Sequence, residues 1–299
     1  MKILCFGSLN IDKVYNVPHF VRPGETLSAL DFQEFCGGKG LNQSIALAKA
    51  GGHVYHAGCI GASDGKKLLS LLESEGVNTS MVRELQYATG HAIIQVDSAG
   101  QNCIVLFGGA NQQITGRQID DTLSQFDSGD ILVLQNEING LEHLIKKSAE
   151  RGMTVVFNPS PMTEDIRSLP LEHVNYFILN EVEARDLCGE ELACSDYPAR
   201  IQQLFPDSKV VLTLGSRGSI YREGNNEIYM PACQVKAVDT TAAGDTFTGY
   251  FISAIASGES VKTALSLATR AAAIAVSRAG ASASIPEKEE VLVFPEPIQ

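Results

Sequence analysis

The sequence is short of positive charge: 23 lysines and arginines stand against 35 aspartates and glutamates, a formal net charge of −12. Such a surface repels phosphodiester backbones and anionic headgroups, which argues against nucleic acid or a membrane as the main partner. A small anion could be held only where backbone N–H groups, Lys, Arg or a metal supply local positive potential. No run approaches the roughly 18 apolar residues of a membrane-spanning helix. The first residues, MKILCFGSLNID, enter a strand and a polar turn and lack the charged-then-apolar layout of a secretory signal. The seven cysteines, Cys5, Cys36, Cys59, Cys103, Cys188, Cys194 and Cys233, form no CxxC pair and have no His cluster beside them. They are expected to be mostly reduced packing residues in a cytoplasmic protein.

Two nucleotide motifs are also missing. No GxGxxG follows the first strand, which weighs against a nicotinamide-dependent dehydrogenase. GGKGLN lacks the spacing of a Walker A loop, and GASDGKK at Gly61 is one residue short and ends in Lys. Linkers, repeats and low-complexity runs are absent too, so one large domain with at most a small appendage is expected.

What is present is an alternation. Lys2–Gly7, His53–Cys59, Asp130–Leu134, Met153–Phe157, Val174–Leu179 and Lys209–Leu214 read as strands, and Leu41–Ala50, Lys66–Glu75, Gly140–Arg151, Glu181–Leu187 and Tyr197–Leu204 as helices. This order predicts βαβ units and a mostly parallel sheet covered on both faces. Two stretches break the rhythm, 13–35 and 88–107, where LSALDFQEF and ATGHAIIQVD–GQ–NCIVLFGG read as strands joined by tight turns. They could form a small antiparallel sheet, serving as a lid or as an ordinary surface excursion. Ligands of open parallel sheets bind beyond the carboxyl ends of the strands. There the chain places Asn10 and Asp12, Gly61 and Asp64, Glu137, Asn158, Asn180 and Gly215.

The sharpest segment is DTTAAGDTF at 239–247, which opens the small-residue helix FTGYFISAIASG. Small residues leave the first N–H groups of a helix free to face an anion, and the helix dipole adds positive potential. A carboxylate there, Asp245, could deprotonate a hydroxyl while those groups stabilise a transferring phosphoryl. The commoner use of Asp at such a place is simply as a cap. CGGKGLN at 36–42 is a second glycine turn opening a helix, projecting Lys39 and Asn42 toward a ligand or toward solvent. Asn180 and Glu183 have the spacing to approach a divalent cation's water shell, and equally that of a capping box. Thr213–Gly218 is a glycine turn suited to a nucleotide or to reversing direction.

Taken in order, from GSLNID near the start to SRAGASASIP near the end, these segments resemble the ribokinase branch of the PfkB sugar kinases over nearly the whole chain. GGKGLNQ is similar to the family's first signature and DTTAAGDTF to its second, and NEVEA, NPSP and TLGSRG match intervening segments. The resemblance implies a ribokinase-like α/β/α sandwich with a mostly parallel sheet and a β-lid. Residues 1–12, 36–87 and 108–299 would form the nucleotide- and sugar-binding core, and 13–35 and 88–107 the lid. It implies a kinase that phosphorylates ribose at O5 from ATP, with Asp245 as base and the backbone of Ala242, Ala243 and Gly244 as an anion hole. Asn10, Asp12, Gly38, Lys39, Asn42 and Glu137 would grip the sugar. Asn180, Thr213, Leu214, Gly215, Ser216, Arg217, Gly218 and Thr269 would line the ATP site, and Glu183 would help organise Mg²⁺.

The resemblance further implies a K⁺-like cation at Asp239, Thr241, Ala275, Arg278, Gly280 and Ser284, mostly on backbone oxygens, and a homodimer clasped through the lid. Two positions depart from the family pattern: IGASDG stands where relatives carry paired acids directly after Gly61, and Thr241 where an aliphatic residue is frequent. Deoxyribose, fructose, another sugar or a nucleoside are alternative acceptors. A sensor without catalysis is the reading of a different class, since fold does not fix function.

Overall fold

In β1 (Ile3–Phe6) every side chain is buried, and the two faces go to different cores: Ile3 and Cys5 join one cluster, Leu4 and Phe6 the other. The same period-two division recurs in β8 (Ile131–Gln135), where Ile131 and Val133 oppose Leu132 and Leu134. It recurs in β10 (Tyr176–Asn180), where Tyr176 and Ile178 oppose Phe177 and Leu179. Continuous apolar runs are what a parallel sheet covered on both faces requires. A computed structural model describes residues 1–297 of the chain.

The remaining strands are β2 (Asn10–Asn16), β3 (Asp31–Gly37), β4 (Val54–Gly61), β5 (Asn78–Leu85), β6 (Gly90–Val96), β7 (Asn102–Phe107), β9 (Thr154–Asn158), β11 (Lys209–Thr213), β12 (Ser219–Glu223) and β13 (Asn226–Met230). Among the described residues they form two sheets, β13-β12-β11-β10-β9-β8-β1-β4-β5 and β3-β2-β6-β7. The large sheet is parallel except for β12 and β13, which pair antiparallel at one edge. The helices are α1 (Lys39–Lys49), α2 (Lys66–Ser74), α3 (Gly116–Leu123), α4 (Leu141–Glu150), α5 (Glu181–Cys188), α6 (Tyr197–Leu204), α7 (Ala243–Ala256), α8 (Val261–Val276) and α9 (Lys288–Val293). One core cluster packs α1, α2, α7 and α8 on one face of the sheet, and the other packs α3, α4, α5 and α6 on the opposite face. This is the expected α/β/α sandwich, with a separate small sheet. Among the described residues, no helix is long and apolar enough to cross a membrane.

After β1 the chain leaves for β4 and β5 on one side, then returns through β8 on the other, so β1 is the switch point where a crevice opens beyond the strand ends. The six expected strands and five expected helices are all found, with ends shifted by a residue or two. The small sheet is mixed and not antiparallel throughout, because β2 pairs parallel with β6, and it differs in detail. Its first strand begins at Asn10 rather than beyond Asp12, and LSAL lies outside β3, which starts at Asp31. The β6–β7 turn is longer than Gly-Gln because Asp97 accepts from the amides of Ala99 and Gln101 and holds a wider loop. β5, β13, α3, α8 and α9 go beyond the elements expected. The signal for α8 was available: Ser260 caps it by accepting from the Thr263 amide, ahead of an Ala-rich run of high helix propensity.

Candidate active site

The crevice is built by two helices aimed at it. β3 ends at Gly37, and the chain turns at Gly38 with φ +98°, a conformation L side chains rarely adopt; a Cβ there would also lie 3.1 Å from the Ser8 carbonyl. α1 starts immediately afterwards, with Leu41, Ile45 and Leu47 buried and the Leu41 amide donating to the Ser8 carbonyl. Its N-terminus is thereby fixed against the end of β1. The Glu137 carboxylate, just past β8, accepts from the Ser8 hydroxyl and, at 3.0 Å, from the Lys39 amide. Asp12 lies close by: burial first, and the Glu137 charge second, push its pKa up to about 6. Asn10 is only 7% exposed and accepts from Asn111 Nδ2 at 2.7 Å.

Lys39 is not a solvated turn residue. Burial alone would lower its pKa, but the acids Asp245, Glu137 and Glu183 outweigh that effect and raise it, so the ammonium stays charged. Asp245 stands in the first turn of α7, a helix buried on almost every side and capped by Ala242 without any side-chain bond. Its carboxylate therefore does not cap the helix. It is 5% exposed and accepts from Asn42 Nδ2 at 3.2 Å and Gln43 Nε2 at 2.9 Å, both on α1. Asn42 keeps a buried Oδ1 without a partner among the described residues. Asn10, Asp12, Gly38, Lys39, Asn42, Glu137 and Asp245 thus gather at one place.

Two adjoining cavities meet at Thr213, Thr240 and Gly244, and Asp245 lines one of them. The polar one, about 200 Å³, is lined by Lys39, Asn158, Asn180, Glu183, Thr241, Gly244 and Asp245 among others. The apolar one, about 320 Å³, is lined by Gly215, Ser216, Gly218, Val235, Phe247, Thr269, Ala272 and Val276 among others, and shares Thr213, Thr240 and Gly244 with the first. A flat apolar group beside a polyanion would fit this pair. Thr269 contributes a buried hydroxyl that has no partner among the described residues. Leu214 does not line either cavity but packs into the core, and the Arg217 guanidinium turns away to the Glu181 carboxylate. A larger hollow of about 750 Å³ lies elsewhere, between 162–167 and α5. Volume does not make it the site, because its arginines are already engaged, Arg185 with the Asp186 carboxylate and Arg167 with the Asp186 carbonyl.

At the mouth of α7 the Ala243 amide donates to the Thr240 carbonyl at 3.2 Å, so within the segment 242–244 it is not free for an anion. The next amides, Gly244 and Asp245, belong to the first turn, whose N–H groups have no intrahelical partners. Ala242 is buried and leaves the cavity walls to Ala243 and Gly244. Asn180 and Glu183 form a complete capping box, with the Asn180 amide on Glu183 Oε2 at 2.9 Å and the Glu183 amide on Asn180 Oδ1 at 3.0 Å. Glu183 still reaches the polar cavity, and among the described residues no three His, Cys, Asp or Glu side chains cluster as a metal cage. That donor set suits a divalent ion carried in by phosphates with its waters, not one held by the protein alone.

The Asp239 carboxylate accepts from the Thr241 amide and hydroxyl and from the Gly280 amide at 3.0 Å. Burial would raise its pKa, and these bonds overcome that and hold it below the ordinary range. It ties the 239–241 turn to the loop that follows α8, where Arg278 pairs with Glu290, the Ala275 carbonyl accepts from the Arg278 amide and the Ser284 hydroxyl donates to the Ala281 carbonyl. With that carboxylate committed to the loops, a cation there would depend on backbone oxygens. Asp64, in the departing IGASDG segment, accepts from the Thr89 amide and hydroxyl and so pins the start of β6.

The sequence reading passed over Gln43 and the α8 wall residues Ala272 and Val276. Gln43 stood beside Asn42 in the same motif, and the α8 residues needed the helix itself to be recognised.

Comparison with known proteins agrees with this geometry. Residues 1–288 match the sequence profile of the pfkB family carbohydrate kinases. The chain is 37% identical to a ribokinase of Haemophilus influenzae over 97% of each protein. Its fold superposes on a ribokinase of Thermotoga maritima with a TM-score of 0.87 and 37% identity, covering 98% of this chain and 99% of the other. It superposes on an Arabidopsis thaliana ribokinase complexed with ribose and ATP with a TM-score of 0.88 and 29% identity, over 97% of each. A buried carboxylate at a helix mouth, lining a polar cavity that adjoins an apolar one, in a chain that matches at this level end to end, marks the protein as a member of the pfkB family of carbohydrate kinases.

Proposed function

We propose that the chain transfers the γ-phosphoryl group of ATP to O5 of D-ribose. The observation that carries the reading is Asp245: a carboxylate buried in the first turn of α7, held by two amide donors and facing the cavity that Lys39 also lines. With ribose in the crevice, Asp245 takes the proton as the O5–H bond breaks, O5 forms its bond to the γ-phosphorus, and the bond to the ADP oxygen breaks with its electrons leaving on ADP. Asn10, Asp12, Gly38, Asn42 and Glu137 hold the sugar; Lys39 and the first-turn amides of α7 meet the charge on the phosphoryl oxygens. Thr213, Gly215, Ser216, Gly218 and Thr269 enclose the adenosine. Mg²⁺ would enter with the phosphates and neutralise part of their charge, with Glu183 acting on it through water.

The test is ADP release from ATP and Mg²⁺ across ribose, deoxyribose, fructose, other hexoses and nucleosides. A strong ribose preference is expected. Preference for another sugar would move the substrate assignment, and no sugar-dependent ADP from folded protein would favour a sensor.

Sugar affinity should depend on pH through Asp12. Its pKa is raised to about 6, so the group is ionised at pH 7 and largely protonated at pH 5. If only the ionised form binds sugar well, the KM for ribose rises roughly tenfold between pH 7 and pH 5. Asp12→Asn should abolish that dependence; a pH-independent KM in the parent would contradict it.

K⁺ at the 239–241 and 275–284 loops would supply fixed positive charge beside the mouth of α7, on oxygens of Asp239, Thr241, Ala275, Arg278, Gly280 and Ser284. Turnover should be faster in K⁺ than in Na⁺ at one ionic strength, and equal rates would remove the site.

The core would comprise 1–12, 36–87 and 108–299, with 298 and 299 outside the described residues, and the lid 13–35 and 88–107. Pleating and register put Asp12, Phe35, Ile104 and Leu106 on one face of the small sheet. Phe35, Ile104 and Leu106 are 46%, 49% and 57% exposed, an apolar face that a second copy would cover to make a homodimer. A monomer mass at all concentrations by light scattering would exclude it. The seven free cysteines accord with the reducing cytoplasm.

A further inference from the structure

Behind the base lies a chain of buried amides. Gln43 on α1 and Gln135 at the end of β8 are both 0% exposed, and uncharged amides are costly to bury unless they are hydrogen-bonded. Gln135 Nε2 donates to Gln43 Oε1 at 2.7 Å, and Gln43 Nε2 donates to Asp245 Oδ1 at 2.9 Å, with Asn158 Oδ1 a further 3.3 Å acceptor.

The orientation of these amides follows from chemistry. An ionised carboxylate can only accept, so the nitrogen of Gln43 must face Asp245 and its oxygen must face away. That oxygen then requires a donor, and the nitrogen of Gln135 is the group that meets it. Gln135 Oε1 lies against Gly7 and has no partner among the described residues, so the amide is held from its Nε2 end, by Gln43. Asn158 fits the same scheme, since its Nδ2 donates to the Ile178 carbonyl and leaves its oxygen toward Gln43. With Asn42 donating to Oδ2, each oxygen of Asp245 has one fixed N–H donor, and its remaining lone pairs face the cavity.

We propose that Gln43, oriented by Gln135, is a positioning residue that fixes the plane of the Asp245 carboxylate toward the hydroxyl it deprotonates. This rests on Asp245 being the base. Neither glutamine lines the polar cavity that Asp245 lines or the apolar one beside it, so their influence passes through the carboxylate. Such an arrangement acts on the proton-transfer step and leaves the sugar's own contacts alone.

The test compares Gln43→Met, Gln135→Met and the double variant by sugar-dependent ADP release, with thermal melting of each. Losing a hydrogen bond to a charged group should lower kcat on the order of 10- to 100-fold in Gln43→Met, with the sugar KM within about twofold of the parent. Gln135→Met should lower kcat several-fold alone and cost nothing further in the Gln43→Met background, because it acts through Gln43. Gln43→Leu, neutral and of similar volume, likewise removes the donor without adding charge beside Asp245; it should lose as much turnover and covers the case in which Gln43→Met does not fold. A kcat near the parent's in folded Gln43→Met or Gln43→Leu would overturn the proposal, as would an equal cost of Gln135→Met in both backgrounds. Asp245→Asn, run alongside, separates the two readings: turnover surviving there removes the base itself, whereas its loss with normal Gln43 variants removes only the positioning role.

Discussion

Asp245→Asn is expected to keep the fold and sugar binding and to lose turnover by roughly 10²- to 10⁴-fold, the usual worth of a general base. The side chain keeps its volume, and α7 keeps its cap, since Ala242 makes no side-chain bond that Asp245 could share. What disappears is the capacity to take a proton. One of the two amide donors, Asn42 Nδ2 or Gln43 Nε2, will also meet an NH₂ group where it met an oxygen, so a small fall in melting temperature should accompany the kinetic loss. Sugar-dependent ADP release gives the rate, and calorimetric titration with ribose gives the affinity. Near-parental turnover in the variant would remove Asp245 from the mechanism.

Gly249→Val should damage both stability and turnover. Gly249 lies one turn past Asp245 on α7, where the helix crosses α1 so closely that a Cβ would sit 2.4 Å from the Ala46 methyl and 2.7 Å from the backbone of Ala46 and Leu47. Backbone atoms cannot yield as a side-chain end can, so the two helices must part. Overpacking of this kind typically costs about 1–3 kcal/mol, and the melting temperature of a large domain falls roughly 2–4 °C per kcal/mol. α1 carries Lys39, Asn42 and Gln43, and α7 carries Asp245, so their separation also shifts the base relative to its donors. A displacement of about 1 Å can cost about 10²-fold in rate. Melting by circular dichroism and kcat on the same sample would check both; parental values for both would refute the close crossing.

How much of this was legible beforehand varies by residue. The crevice-edge positions of Asn10, Asp12, Glu137, Asn158 and Asn180 followed from apolar runs ending in polar residues, because strand ends in a parallel sheet share one edge. The glycine turn before α1 was legible from CGGKG, since a reversal into a helix at Gly38 needs positive φ. Glu183 illustrates an even balance: its capping box is real and it also reaches the polar cavity, so one spacing serves both readings. For Leu214 and Arg217 the glycine turn pointed to the right loop, but the direction of each side chain was set by neighbours distant in sequence, the core for one and Glu181 for the other. The small sheet was legible as β-rich, while its start at Asn10 was not, because pairing with β3 and β6 fixes that boundary.

Local chain chemistry is enough to settle the layering of this protein and the two glycine-marked helix openings: pleat alternation, φ restrictions and end-of-helix N–H groups act within a few residues. The long-range packing settles the rest. Whether Asp245 caps a helix or faces a ligand, and whether Lys39 is solvated or lodged among acids, depends on groups that meet across the fold. Asn42 and Gln43 reach Asp245 across 203 and 202 residues of chain. That meeting exists because Gly249 lets α7 lie against α1 at backbone distance, a spacing set by side-chain volumes on two helices together and by no property of either one alone.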